Sequence, residues 1–251
     1  MTGEQAMETP SGAEVKPAFY SAGRGVGGSR DWLSLLHPPY TAWHLSYVAI
    51  GAALSQPVRF DRLGWSLLGF FLGLGVGAHA LDELHGRPLR TGIPSWQLVG
   101  AAVTSVAGAA TIGWLVGGLR LLPFIVVGAV LAFGYNLEWL GGVAHNAVGF
   151  AFAWGTFPLL TGYYAQHWSI STGAGVAAAG AFALTFAQRA LSTPARWLRR
   201  SVRHASVGVT LADGAHAQLA ASDLLRPLER ALKAISWGMV ALAIGMVLAA
   251  R

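Results

Sequence analysis

The chain has no cysteine in its 251 residues, which excludes disulfides, thiolate nucleophiles and Cys-ligated zinc or iron–sulfur centres. Metal ligation is thereby confined to His, Asp, Glu and Asn, a hard or borderline donor set. Charge is scarce as well, at 11% of residues, while 54% are hydrophobic and the mean hydropathy is +0.50. That balance excludes a secreted globule and fits a polytopic membrane protein. Acids are rarest of all: of eleven, only Asp82, Glu83 and Glu138 lie between Gly64 and Arg200. Net charge is +6 and the isoelectric point near 10.2, but the arginines flank apolar segments instead of forming a separate basic domain. Anionic lipid headgroups are the expected partners, and nucleic acid is not.

Residues 1–30 are rich in Gly, Ser, Glu and Ala, show no apolar periodicity, and are expected to form a disordered cytoplasmic tail. Seven apolar segments follow, at Pro39–Leu54, Leu63–Leu81, Trp96–Val116, Leu119–Tyr135, Gly142–Ala165, Gly173–Leu191 and Ile235–Ala250. A span needs roughly 20 apolar residues, so the first and last are short. The sequence predicts an all-α transmembrane bundle of about seven spans, with six in residues 31–191 and the last in 235–251. Between them, 192–234 is expected to be a basic amphipathic cytoplasmic segment, with Ser192–Arg200 lying at the headgroups and Asp213-Gly214 marking a turn. Small residues crowd the spans, as at Gly69, Gly73, Gly75 and Gly77 and in the run Gly173–Ala183, predicting close helix packing. With the N-terminus inside, thirteen Lys and Arg fall on the cytoplasmic side and four opposite, which favours that orientation in a bacterial-type inner or plasma membrane.

This topology gathers polar groups in one leaflet. His44 lies near the start of the first span, and His79, Asp82 and Glu83 share a helical face at the end of the second. Glu138 closes the fourth span, and His145 with Asn146 opens the fifth. Ionisable groups inside a membrane are functional by default. His79, Asp82, Glu83, Glu138 and His145, with His44 as a further candidate, form a mixed His/carboxylate set suited to a divalent metal whose identity the sequence leaves open. Asp82, Glu83 and Glu138 are the candidate catalytic acids. Arg87 and Arg90 are placed to hold an anionic group, or to anchor the loop by the positive-inside rule, with Asn146 and Tyr135 as further substrate-binding candidates. The bland alternative pairs Glu83 or Glu138 with Arg87, Arg90 or Arg189 and leaves the histidines on backbone carbonyls. Trp43, Trp139, Trp154 and Trp168 are candidates to line a lipid pocket, with the membrane interfaces the expected place for most of them.

The order of these features resembles the UbiA-type intramembrane prenyltransferase superfamily. The likeness runs over Leu36 to Leu191: a short first span after His37-Pro38-Pro39, an acid-bearing second span leading into Arg87-Pro88-Leu89-Arg90-Thr91-Gly92-Ile93-Pro94, a fourth span ending at Tyr135, then His145-Asn146 and Gly149 through Pro158 to Gly162. The resemblance implies an all-α bundle, usually of nine spans, and a prenyl diphosphate held through magnesium by two Asp-rich motifs. In this chain the first motif falls on Ala78, His79, Asp82 and Gly86, with Asp82 its one aspartate. The second falls on Gln188-Arg189-Ala190-Leu191-Ser192, without a carboxylate. In its place Arg189, Arg196, Arg199 and Arg200 can neutralise an anion but not recruit magnesium. The expected function is an enzyme on an isoprenoid or other lipidic substrate, not an ordinary magnesium-dependent prenyltransferase. The alternatives are a membrane His/carboxylate metalloenzyme, oxidoreductase or hydrolase, and a non-catalytic lipid-binding or assembly protein.

Overall fold

Prolines and small polar residues set where the helices begin. The computed structural model describes residues 28–202, 204 and 206–250, and these are overwhelmingly helical. Helix α1 (Ser29–Leu35) is followed by His37 in the left-handed region, and Pro38 and Pro39 then open α2 (Pro38–Ala53). Proline suits that position because the first helical N–H groups have no partner to lose. Helix α3 (Phe60–Leu84) carries a π-helical stretch at Phe71–Ala78. Pro94 precedes α4 (Ser95–Gly117), and Pro123 lies in the first turn of α5 (Leu122–Asn136). Helix α6 (147–167) is capped by Asn146 Oδ1, which accepts from Gly149 N at 2.9 Å, and has its own π-helical stretch at Phe152–Thr156. Ser171 caps α7 (Thr172–Ser201) through Ala174 N at 3.1 Å.

Among the described residues, four helices are long and apolar enough to cross a membrane: α3, α4, α7 and the final helix, α8 (Ala221–Ala249). Leu115, Val176, Val103 and Leu242 are among their exposed apolar side chains, the pattern of helices whose outer faces meet lipid. Helix α2 is the hub. It packs chiefly against α6 and α8, with Trp43 and Tyr47 fully buried beside Leu159, Ala178 and Met239. Trp43 is thus a core residue and not an interfacial one. Two glycines make the α2–α6 approach possible: a Cβ on Gly51 would stand 2.1 Å from Leu159 O, and one on Gly162 2.3 Å from Val48 O. Of the small residues named in the sequence, Gly77 likewise meets α4, a Cβ there standing 2.8 Å from Val106 Cγ2, whereas Gly175 and Gly180 face open space.

The segment after the sixth apolar stretch differs from the expected amphipathic helix. Helix α7 runs without interruption to Ser201 with Pro194 inside it, and the chain then forms an antiparallel hairpin of β1 (Ser206–Thr210) and β2 (His216–Ala220) before α8 starts at Ala221. The expected division at 192–234 therefore cuts both long helices. Alternating Ser206-Val207-Gly208-Val209-Thr210 has the strand period, and the Asp213-Gly214 turn foreseen in the sequence supplies its tip, with Gly214 at φ +83°. The expected tail lies outside the described residues up to 27, and its last two residues, Ser29 and Arg30, belong to α1.

Candidate functional site

The loop after α3 is built by Glu83, an acid that sequence reasoning assigned to chemistry, and by Asp31, which it did not single out. Glu83 is buried, and its carboxylate accepts from Leu89 N at 2.9 Å, Thr91 N at 2.8 Å and Thr91 Oγ1 at 2.9 Å. Asp31 on α1 accepts from Gly92 N at 2.8 Å. Arg87 donates to Ile93 O and to Ser95 Oγ, each at 2.6 Å. These contacts clasp a chain that Arg87 and Arg90 take through the left-handed region, at φ 51° and 52°, and the Arg90 side chain is exposed. Glu83 and Arg87 thus hold the loop, whose Pro88 and Leu89 wall a cavity.

That cavity has a volume of about 250 Å³ and is lined by polar groups from four helices. Helix α3 supplies His79 and Asp82; α2 and its preceding residue supply Tyr40, His44 and His37; α5 supplies Tyr135; α7 supplies Gln188, Arg189, Arg196 and Arg200. His145 lines it from the α5–α6 connection. His44 Nδ1 donates to Trp154 O at 2.8 Å and His79 Nδ1 to Gly75 O at 3.0 Å, leaving each Nε2 as the acceptor of a neutral ring. His145 stacks on Tyr135 with centroids 4.6 Å apart, and its Nδ1 lies 3.1 Å from Tyr135 O. Arg189 donates to the Tyr135 hydroxyl at 2.7 Å and sits 5.0 Å from the Phe150 ring centroid. Asp82 feels Arg196, His145, Glu83 and Arg200 through space.

Of the residues singled out in the sequence, His44, His79, Asp82, Tyr135 and His145 line this cavity together. Glu138 stays at the rim, 45% exposed, 3.8 Å from His145 and 4.0 Å from His85. Asn146 is spent on helix capping, its Nδ2 donating to Val143 O at 2.8 Å. Among the described residues no three His, Asp or Glu side chains group as a metal centre. The donor set expected to hold a divalent cation does not converge as a single centre among the described residues, because Glu83 is directed to the loop and Glu138 to the rim. Tyr40 is a lining residue that sequence reasoning did not mark, while His37 and Gln188 entered there only within the stretches that carry the family resemblance. The α7 signal was available for the arginines, because 189, 196 and 200 differ by seven and four and so share one helix face.

Beside the polar cavity runs an apolar groove between α3, α4, α5 and α6, with Gly69, Gly73, Ala109, Ile125, Gly128 and Phe157 among its walls. Leu74 and Trp154 line both spaces. Each belongs to a π-helical stretch, where the extra residue per turn displaces side chains from the regular α register. Polar cavity and apolar groove therefore adjoin through two residues of irregular helix.

No family model, curated protein or solved structure matches the chain.

Proposed function

We propose that the chain is a divergent UbiA-like membrane protein of seven spans, N-terminus cytoplasmic, that acts enzymatically on an isoprenoid or other lipidic substrate. The observation that carries this reading is the junction at Leu74 and Trp154. A ligand with an apolar chain in the groove and a polar head in the cavity satisfies both surfaces, whereas a wholly polar or wholly apolar one leaves half of the site without complementary contacts. The excess of Lys and Arg on one side supports the orientation, which puts the cavity in the cytoplasmic leaflet. Three further rods, α2, α5 and α6, are shorter or less apolar than the four that meet the length and hydropathy of a span; their packing against those four supports the seven-span count.

Within this reading Asp82 is the catalytic candidate, the one carboxylate lining the cavity among the described residues. It faces the substrate head and accepts or relays a proton there, with neutral His79 beside it. Tyr135 and Arg189, joined by their 2.7 Å hydrogen bond, position the head. Photo-crosslinking of purified protein with a diazirine-bearing farnesol should label groove peptides of α3 and α5, and Ala109→Phe should lower labelling more than tenfold. Labelling confined to other surfaces would sink the reading. Incubation with a total lipid extract should then give a product lost in Asp82→Asn. Labelling without turnover would favour the non-catalytic lipid-binding alternative.

A further inference from the structure

We infer that the head group taken by the cavity is phosphorylated, and that Arg189, Arg196 and Arg200 hold it directly, without a bridging divalent cation. The inference rests on the amphipathic-lipid reading and specifies its polar end. Arg189, Arg196 and Arg200 project from one face of α7 into the cavity. Against these three cations the described lining offers one carboxylate, Asp82, because Glu83 has its oxygens on Leu89 and Thr91 and Glu138 stands at the rim. Asp82 set against the three arginines leaves the fixed charges of the cavity two positive in excess. A carboxylate head would leave one of them uncompensated in a poorly solvated space, while a phosphate monoester brings about 1.5 to 2 negative charges, a diphosphate more, and either matches guanidinium geometry bidentately.

A second observation points the same way. Gln188 is only 1% exposed and its amide meets the Tyr40 hydroxyl alone, which leaves the rest of its hydrogen-bonding capacity without a described partner. The buried Nε of Arg200 likewise lacks a partner. Buried donors in native proteins are ordinarily paired, and these border the same cavity. Their neighbour Arg199, off the cavity, is engaged by Glu229 of α8. Magnesium prefers several oxygen ligands, and Asp82 alone, with Arg196 and Arg200 acting on it, is a poor recruiter of a cation.

The test uses the full chain in lipid nanodiscs and isothermal titration with farnesol, farnesyl monophosphate, farnesyl diphosphate and inorganic pyrophosphate, each in EDTA and in magnesium. The phosphorylated farnesyl probes should bind in EDTA, at least tenfold tighter than farnesol, with affinities moved less than threefold by magnesium. Arg196→Gln and Arg200→Gln should each weaken them about ten- to a hundredfold and leave farnesol binding unchanged, while exposed Arg226→Gln changes neither. Retained farnesol binding shows that the variants fold. Pyrophosphate binding as tightly as farnesyl diphosphate would assign the cradle to a free anion, and dependence on the farnesyl chain to a lipid headgroup; either upholds it. Binding of the phosphorylated probes that appears only with magnesium and is lost in Asp82→Asn would overturn it, as would equal affinity for farnesol. Failure of farnesol and every farnesyl probe to bind would defeat the lipid reading itself.

Discussion

The two ends of the bundle use arginine in opposite ways. Where α3 begins and α6 ends, Arg62 donates to Ala165 O at 3.1 Å and Gln166 O at 2.9 Å and lies 4.4 Å over the Trp168 ring, while Arg120 stands 5.5 Å from the same ring. Gln166 is buried, and its Oε1 accepts from Arg59 N at 2.8 Å. Polar groups there close helix ends, satisfying carbonyls that the α-helix leaves without intrahelical donors. Where α3 ends and α6 begins, Arg196, Arg200, Gln188 and Asp82 converge on a hollow instead. The difference lies in how far each end completes its own hydrogen bonds: one does so, and the other leaves buried donors of Gln188 and Arg200 unspent, which the proposed ligand would use.

The sharpest break in that comparison falls between adjacent residues at the cavity end. Glu83→Ala strips three donors of their acceptor in a buried place, and unfolding of the protein in detergent should become easier by about 3–5 kcal/mol, with faster amide exchange at Leu89 and Thr91. Asp82→Asn keeps the shape and removes a carboxylate with no hydrogen-bonded loop to hold. Its effect on stability should be below about 1 kcal/mol while any turnover is lost. Equal destabilisation by the two changes would mean that Asp82 is as structural as Glu83.

Much of this division was legible in the sequence. Hydropathy marked the helical segments, and helical spacing placed His79 beside Asp82 on α3. The sequence could not separate Asp82 from Glu83, because both reach the same helix end and the distinction arises from a loop that turns back onto one carboxylate. The basic run after Leu191 has amphipathic composition wherever it lies, so composition could not show that it extends α7 through Pro194. Nor could it show that Ser206–Thr210 pairs with His216–Ala220, since a five-residue alternating stretch carries a weak signal. The π-helical stretches were invisible for a related reason: Phe71–Ala78 is apolar throughout and Phe152–Thr156 is apolar but for Thr156, so a register shift there changes almost nothing in the residue pattern.

A comparison of like with like comes next in size. Arg62→Ala removes two hydrogen bonds to carbonyls and the contact with Trp168, and should cost about 2–3 kcal/mol in thermal unfolding. Arg200→Ala at the other end removes a cation that has Arg196 for a neighbour, and should leave stability unchanged or raise it by up to about 1 kcal/mol. A large loss of stability from Arg200→Ala would show that its guanidinium is engaged in the fold, and the contrast between the ends would fail.

The smallest expected effect concerns Asn146, a residue that the sequence offered as a substrate contact. Its side chain closes the start of α6, accepting from Gly149 N and donating to Val143 O, and it is absent from the cavity wall. Asn146→Ala should therefore behave as the loss of a helix cap, about 1 kcal/mol in unfolding, and Asn146→Asp or Asn146→Ser, which retain a capping oxygen, should recover most of it. Binding of a farnesyl probe should be unaffected in all three. The rescue matters because a substrate contact through the amide Nδ2 would be lost in Asp and Ser alike: stability restored by these two with probe affinity still reduced would return Asn146 to the site, and would mean that the cavity extends further toward the α5–α6 connection than its walls in the unliganded protein show.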